Sequence, residues 1–104
     1  MEAYYEQERE LTVATVTQED VTRLKRHGKI ECRLQWPQRK IKMRISLDSD
    51  KGSATIVARF LPKVANVTME NADSLEIPMS GTHIKSLLKN GYIMNDNIVI
   101  HLAN

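Results

Sequence analysis

Nine cations crowd residues 21–44: Arg23, Lys25, Arg26, Lys29, Arg33, Arg39, Lys40, Lys42 and Arg44, against Glu31 alone. Such a run offers contact with anions, either the carboxylates of an acidic protein or the phosphates of a nucleic acid. Residues 1–20 carry six acidic side chains against Arg9, so the net charge swings from −5 to +8 within 44 residues, although the 104-residue chain as a whole carries only +2. The swing points to an anion-binding surface, or to an acidic arm folded over a basic face. The bland counterpart is an ordinary solvated surface.

Other reactive residue types offer less. His27, His83 and His101 fall at a helix end, a helix start and a terminal strand. A metal needs ligands at tight local spacing or in clear convergence, so no metal and no cofactor are expected. His27 suits the negative end of a helix dipole. Cys32 lies in an apolar alternation and reads as a small core residue. Ser80-Gly81-Thr82 reads as a helix cap, since no Gly-x-Ser-x-Gly elbow occurs. Asp48 and Asp50 lack the further oxygen ligands of a calcium loop, and no glycine-rich phosphate loop is present. Asn66-Val-Thr68 fits the glycosylation pattern, which carries no meaning without secretion.

The cations are positioned by two strands with period-2 alternation. Ile30, Cys32, Leu34 and Trp36 alternate with Glu31, Arg33 and Gln35; Ile41, Met43, Ile45 and Leu47 alternate with Lys40, Lys42, Arg44 and Ser46. That spacing makes each strand half-buried. A two-residue loop at Pro37-Gln38 pairs Trp36 with Arg39, Leu34 with Ile41, Arg33 with Lys42 and Glu31 with Arg44, and a one-residue slip would destroy the match of apolar residues. A second hairpin through Ser49–Gly52 sets Ile45 against Ile56, Met43 against Ala58 and Ile41 against Phe60. Arg33, Lys42 and Arg59 then stand in a row about 5 Å apart. Lys29 and Lys40 extend this face, and Arg23, Lys25 and Arg26 precede it on a helix. The expected partner-binding set is Arg33, Lys40, Lys42, Arg44, Arg59, Arg23, Lys25 and Arg26. Trp36 and Phe60 fall on the apolar side, which argues against a base-stacking platform.

Around these strands the chain reads in order. Residues 1–10 form an acidic arm. Leu11–Val16 is a strand. Thr17 caps a helix that runs to about His27 and stops at Gly28, with Asp20 completing a capping box. A weak strand surrounds Val67 and Met69, and a firmer one carries Leu75, Ile77 and Met79. Ser80 or Thr82 caps a second helix bearing Ile84, Leu87 and Leu88, and Asn90-Gly91 closes it. Tyr92–Met94 and Asn97–Leu102 are strands around a turn at Asn95-Asp96. Residues 16–30 echo residues 79–93 at an offset of 63, with Leu, Gly and Ile identical. This reads as a repeated strand–helix–strand unit, or as the likeness any capped helix between strands would show.

Apolar residues at 41% and charged residues at 27% describe a globular chain. Four Gly and three Pro exclude collagen-like and low-complexity classes, and no apolar run exceeds three residues. No charged-then-apolar leader opens the chain, and the lone Cys suits a reducing, cytoplasmic compartment. The expectation is one α+β domain, a mostly antiparallel sheet of six or seven short strands with two short helices packed on one face. Its predicted core is Val13, Val16, Val21, Leu24, Ile30, Cys32, Leu34, Trp36, Ile41, Met43, Ile45, Leu47, Ile56, Phe60, Leu87, Leu88, Ile98 and Ile100.

The expected role is a small non-catalytic binding or regulatory module, with no membrane contact. Its basic sheet face would meet an acidic protein or a second copy in a homodimer. Size and charge partition would suit an accessory protein of a phage or mobile element. One alternative is a nucleic-acid-binding protein contacting the phosphate backbone. A second is a small hydrolase or toxin built around His101 or His83 with a carboxylate neighbour.

Overall fold

A computed structural model of the chain describes residues 1–36, 39–48, 74–95 and 97–103. They form β1 (Glu2–Glu6), β2 (Leu11–Val16), α1 (Gln18–His27), β3 (Lys29–Trp36), β4 (Arg39–Asp48), β5 (Ser74–Ser80), α2 (Gly81–Asn90), β6 (Tyr92–Met94) and β7 (Ile98–Leu102). The class is α+β, as expected. The seven strands make one curled sheet in the order β5-β4-β3-β1-β2-β7-β6.

That sheet is mixed rather than mostly antiparallel. β1–β2, β3–β4 and β6–β7 are antiparallel; β1–β3, β2–β7 and β4–β5 are parallel. The local hairpins are antiparallel because a short loop can only return the chain beside itself. The parallel pairs join segments distant in sequence, and alternation encodes neither their partner nor their direction.

One pairing is added to those expected, and one expectation changes. β4 takes β5 on the edge opposite β3, with Lys42 beside Ser74 and Ile45 beside Ile77. The expected pairings of Ile45 with Ile56, Met43 with Ala58 and Lys42 with Arg59 fall on residues outside those described. Arg59, Ile56, Phe60 and the weak strand at Val67 and Met69 lie outside the described residues. Residues 2–6, read as the start of an acidic arm, are the middle strand of the sheet. Ala3 and Tyr5 turn to the core while Glu2, Tyr4 and Glu6 alternate outward, so the segment does follow period 2, with small or polar-tipped residues inside.

The inner face packs against both helices in one cluster: Ala14, Leu34, Met43, Ile45, Ile77, Ile93 and Ile100 from strands meet Val21, Leu24, Ile84 and Leu87 from α1 and α2. Of the expected core, Val13 is buried on the opposite face, Cys32 and Leu88 are half-buried, and Leu47 is 42% exposed at its strand end. Leu75, Ile77, Met79, Ile84 and Ile93 join the core beyond expectation.

The echo at offset 63 is a structural repeat. α1 and α2 coincide residue for residue under the shift, 18–27 onto 81–90. Each opens with a capping box: Thr17 Oγ1 accepts from Asp20 N–H at 3.0 Å and Thr17 N–H donates to Asp20 Oδ2 at 2.9 Å, while Ser80 Oγ accepts from His83 N–H at 3.2 Å and Ser80 N–H donates to His83 Nδ1 at 3.1 Å. Each ends on a left-handed glycine, Gly28 and Gly91, both at φ 84°. Gly28 and Gly91 each donate to a leucine carbonyl of the last turn at 2.9 Å, and accept from Leu47 and Leu102 respectively. The strand registers agree too: Val16 pairs with Leu102 as Met79 pairs with Leu47, and Ile30 with Ile45 as Ile93 with Ile100. β2, β3 and β4 thus correspond to β5, β6 and β7.

Because a Cβ at either glycine meets nothing within 4 Å, only the backbone resists substitution. Gly28→Ala and Gly91→Ala should each cost about 1–2 kcal/mol, and the two costs should agree closely. Chemical denaturation of the two variants checks this; unequal costs would break the equivalence of the caps.

Candidate functional site

The outward face of β3 and β4 carries the charged residues. Register sets Lys29 opposite Ser46, Glu31 opposite Arg44, Arg33 opposite Lys42 and Gln35 opposite Lys40, as the hairpin reading expected. Glu31 is the local hub. Its carboxylate lies 2.9 Å from Arg44, 3.2 Å from Lys42 Nζ and 3.8 Å from Lys29 Nζ. The hydrogen bonds from Lys42 and Arg44 hold the Glu31 carboxyl below its ordinary value. On the far side of β4, Arg44 pairs in register with Glu76, which accepts a hydrogen bond from Ser46 Oγ at 3.2 Å.

Arg33 and Lys40 differ from these. Both are exposed, and among the described residues neither has an ion-pair partner. Arg33 faces Lys42 directly across the strand pair. Like charges in that position oppose sheet formation by a few tenths of a kcal/mol. The acidic stretch of the sequence becomes a neighbour of the basic one: Tyr4 of β1 pairs with Gln35 and Ala3 with Leu34. Tyr4 is 52% exposed on this same outward face.

The structure therefore joins Arg33, Lys40, Lys42 and Arg44 on one surface, with Lys29 beside them, and does not bring Arg23, Lys25 or Arg26 to them; Arg59 lies outside the described residues. Arg23 pairs with Asp20 within α1. Lys25 and Arg26 are exposed in the last turn of α1, on the layer that covers the inner face. Tyr4 is the residue of this surface that sequence reasoning missed; its signal was the alternation Glu2-Ala3-Tyr4-Tyr5-Glu6, hidden by acidic composition.

Nothing joins this surface in the chain's favour from outside. No known protein family matches the chain, nor does any curated protein or solved structure. What the surface can do must come from its own chemistry.

Two of the residues considered for chemistry, Ser80 and His83, occupy a helix cap. Ser80 Oγ lies 2.8 Å from His83 Nδ1, but both groups serve the α2 capping box, with His83 standing where Asp20 stands in α1. His101 is exposed on β7 between Tyr92 and Thr15 in register, and His27 is exposed at the end of α1. Burial raises the Cys32 thiol, which favours the unreactive protonated form. Among the described residues no three His, Cys, Asp or Glu side chains group to hold a metal ion. No described helix is long and apolar enough to cross a membrane.

Asp20 is the ionisable group most tightly held. It is 1% exposed, 2.9 Å from the Met1 ammonium, bonded to the Thr17 N–H and paired with Arg23. Burial pushes its carboxyl up, but the Thr17 N–H, the Met1 ammonium and Arg23 outweigh burial and hold it well below the usual carboxylate range. This is an anchor tying the N-terminus of α1 to the start of β1.

Proposed function

We propose that the protein is a non-catalytic binding module of the cytoplasm that meets an acidic protein surface through the outward face of β3 and β4. The observation that carries this reading is the cross-strand pair Arg33–Lys42, with Lys40 next to it, held in a sheet that these like charges do not help to form. Glu31 and Glu76 interleave with the cations, and a mixed pattern of that kind suits a protein partner with its own ordered charges better than a uniform phosphate backbone. The cost of keeping the pair is recovered when carboxylates of the partner approach.

A second reading, contact with single-stranded nucleic acid, is favoured by one observation. Tyr4 offers an exposed ring beside Gln35, close to Lys40 across the strand pair. One aromatic among cations is the minimum of a base-stacking surface.

Binding of wild type and of Arg33→Ser/Lys40→Ser/Lys42→Ser to poly-L-glutamate and to an oligothymidylate separates the readings. The module reading expects wild type to prefer polyglutamate and the triple variant to lose that binding. The nucleic-acid reading expects the oligonucleotide to be preferred, with affinity falling against salt at a slope of about −2 for three contacts, and further weakened by Tyr4→Ala. Wild type that binds neither polymer at low salt removes both.

A further inference from the structure

β1 is the strand between β3 and β2, so among the described strands it alone links β5-β4-β3 to β2-β7-β6. Its register with β3 covers just two pairs, Ala3–Leu34 and Tyr4–Gln35. Few pairings give a segment little local stability of its own. What holds its start is an ion pair. The Met1 ammonium lies 2.9 Å from Asp20 Oδ2, and neither side chain is more than 2% exposed. The same oxygen accepts from the Thr17 N–H at 2.9 Å. Arg23 takes the other oxygen, but its side chain is 54% exposed and its charge is screened by water. Burial opposes the charged form of the Asp20 carboxyl, and the Thr17 N–H, the Met1 ammonium and Arg23 together outweigh it.

The repeat shows that the cap itself does not need a carboxylate. His83 stands where Asp20 stands, and its Nδ1 accepts from the Ser80 N–H at 3.1 Å. An imidazole nitrogen therefore completes the same capping box at α2. The charge on Asp20 is additional to capping, and the cation it faces is an α-amine of the chain itself. We infer that the α-amino group of Met1 is a modification site that controls the docking of β1: unacylated, it holds the strand in the sheet, and an acyl group on that nitrogen releases it. An amide nitrogen carries no charge, so acylation leaves the Asp20 carboxylate buried with its cation gone. The amide can still donate one N–H, so the loss is chiefly one of charge. A formyl group leaves by hydrolysis: water breaks the N–C bond, formate departs and the nitrogen becomes the ammonium. An acetyl group arrives from an acyl thioester: the N–C bond forms, the C–S bond breaks, one ammonium proton goes to the thiolate and a second to solvent. Releasing β1 parts the two halves of the sheet and withdraws Tyr4 from its place beside Gln35. None of this depends on what the basic face binds.

A thermodynamic cycle tests the switch. Wild type and Asp20→Asn are prepared with a free Met1 amine, with Nα-formyl and with Nα-acetyl, lysines unmodified, and titrated with urea at pH 7. Acylation should lower the folding equilibrium constant of wild type about tenfold to a hundredfold. In Asp20→Asn, where no buried carboxylate is left unpaired, it should lower it by no more than about twofold. Formyl and acetyl should act alike, since they differ in size and not in charge. Where an acylated chain is unfolded without urea, trimethylamine N-oxide raises the stability of every form and the same ratios are read. Acylated wild type as stable as the free amine would overturn the inference. So would an equal loss in Asp20→Asn, or a loss from acetyl alone, which is the mark of crowding.

Discussion

Asp20→Ala should lower stability by about 3–5 kcal/mol at neutral pH, the range for removing one partner of a buried ion pair. The size comes from what is left behind. The Met1 ammonium, with its side chain 1% exposed, loses its counter-ion; the Thr17 N–H loses its acceptor; Arg23 loses its partner. For a domain of this size each kcal/mol shifts the melting temperature by roughly 4–8 °C, so a fall of at least about 12 °C is expected. Asp20→Asn keeps an acceptor for the Thr17 N–H but not the charge, and should fall between the two. The effect has a pH signature. The native carboxyl titrates lower than the unfolded one, so folding favours its ionised form. The stabilisation is complete above the unfolded carboxyl's pKa of about 3.9 and is lost as pH falls through the native pKa. Urea titrations of wild type and Asp20→Ala should therefore differ most near pH 7 and converge in acid. A difference under about 1 kcal/mol at pH 7 would mean the anchor is not formed.

The same residue shows why part of the fold was legible. Thr17 and Asp20 sit three apart before an apolar period, and Gly28 follows, so the cap, helix and stop could be read from local spacing alone. The β3–β4 register was equally legible, because a two-residue loop and two runs of alternation leave one match. Nothing local told β4 which strand would take its other edge. Ile77 lies in an alternating run like others in the chain, and only tertiary packing selects it as the neighbour of Ile45. β1 was illegible for a different reason: Glu2 and Glu6 face outward and Ala3 contributes little apolar area, so its composition resembled a solvated arm. The site was half legible for the same causes. The pair Arg33–Lys42 follows from a hairpin; Tyr4 beside Gln35 follows from a long-range parallel pairing, and Arg59 lies outside the described residues.

The repeat explains why β5 takes that edge. β4 and β7 are equivalent strands, and each ends on a hydrogen bond to a left-handed glycine, Leu47 to Gly28 and Leu102 to Gly91. β7 lays its free edge along β2 in parallel; β4 does the same along β5, the counterpart of β2. One interface is used twice. Its two versions are packed differently, however. Ala14 of β2 and Ile77 of β5 occupy equivalent places, both with no exposure. In the first half β1 lies against β2 and brings Ala3 beside Ala14, so two small residues share the space.

That difference fixes the second large effect. Ile77→Ala should cost about 2–5 kcal/mol, the loss of a buried isoleucine plus the cavity it leaves. Ile77 pairs with Ile45 and packs in the shared core with residues of both helices, so little can move in to fill the space. Ala14→Ile should also destabilise, by about 1–3 kcal/mol, because added volume beside Ala3 forces a strained rotamer or a backbone shift. The urea dependence should keep its slope in both variants while the midpoint falls, as for a loss of packing without loss of compactness. An Ile77→Ala cost under about 1 kcal/mol would mean that Ile77 is not packed in the core, and β5 could not then be the partner that lies along β4.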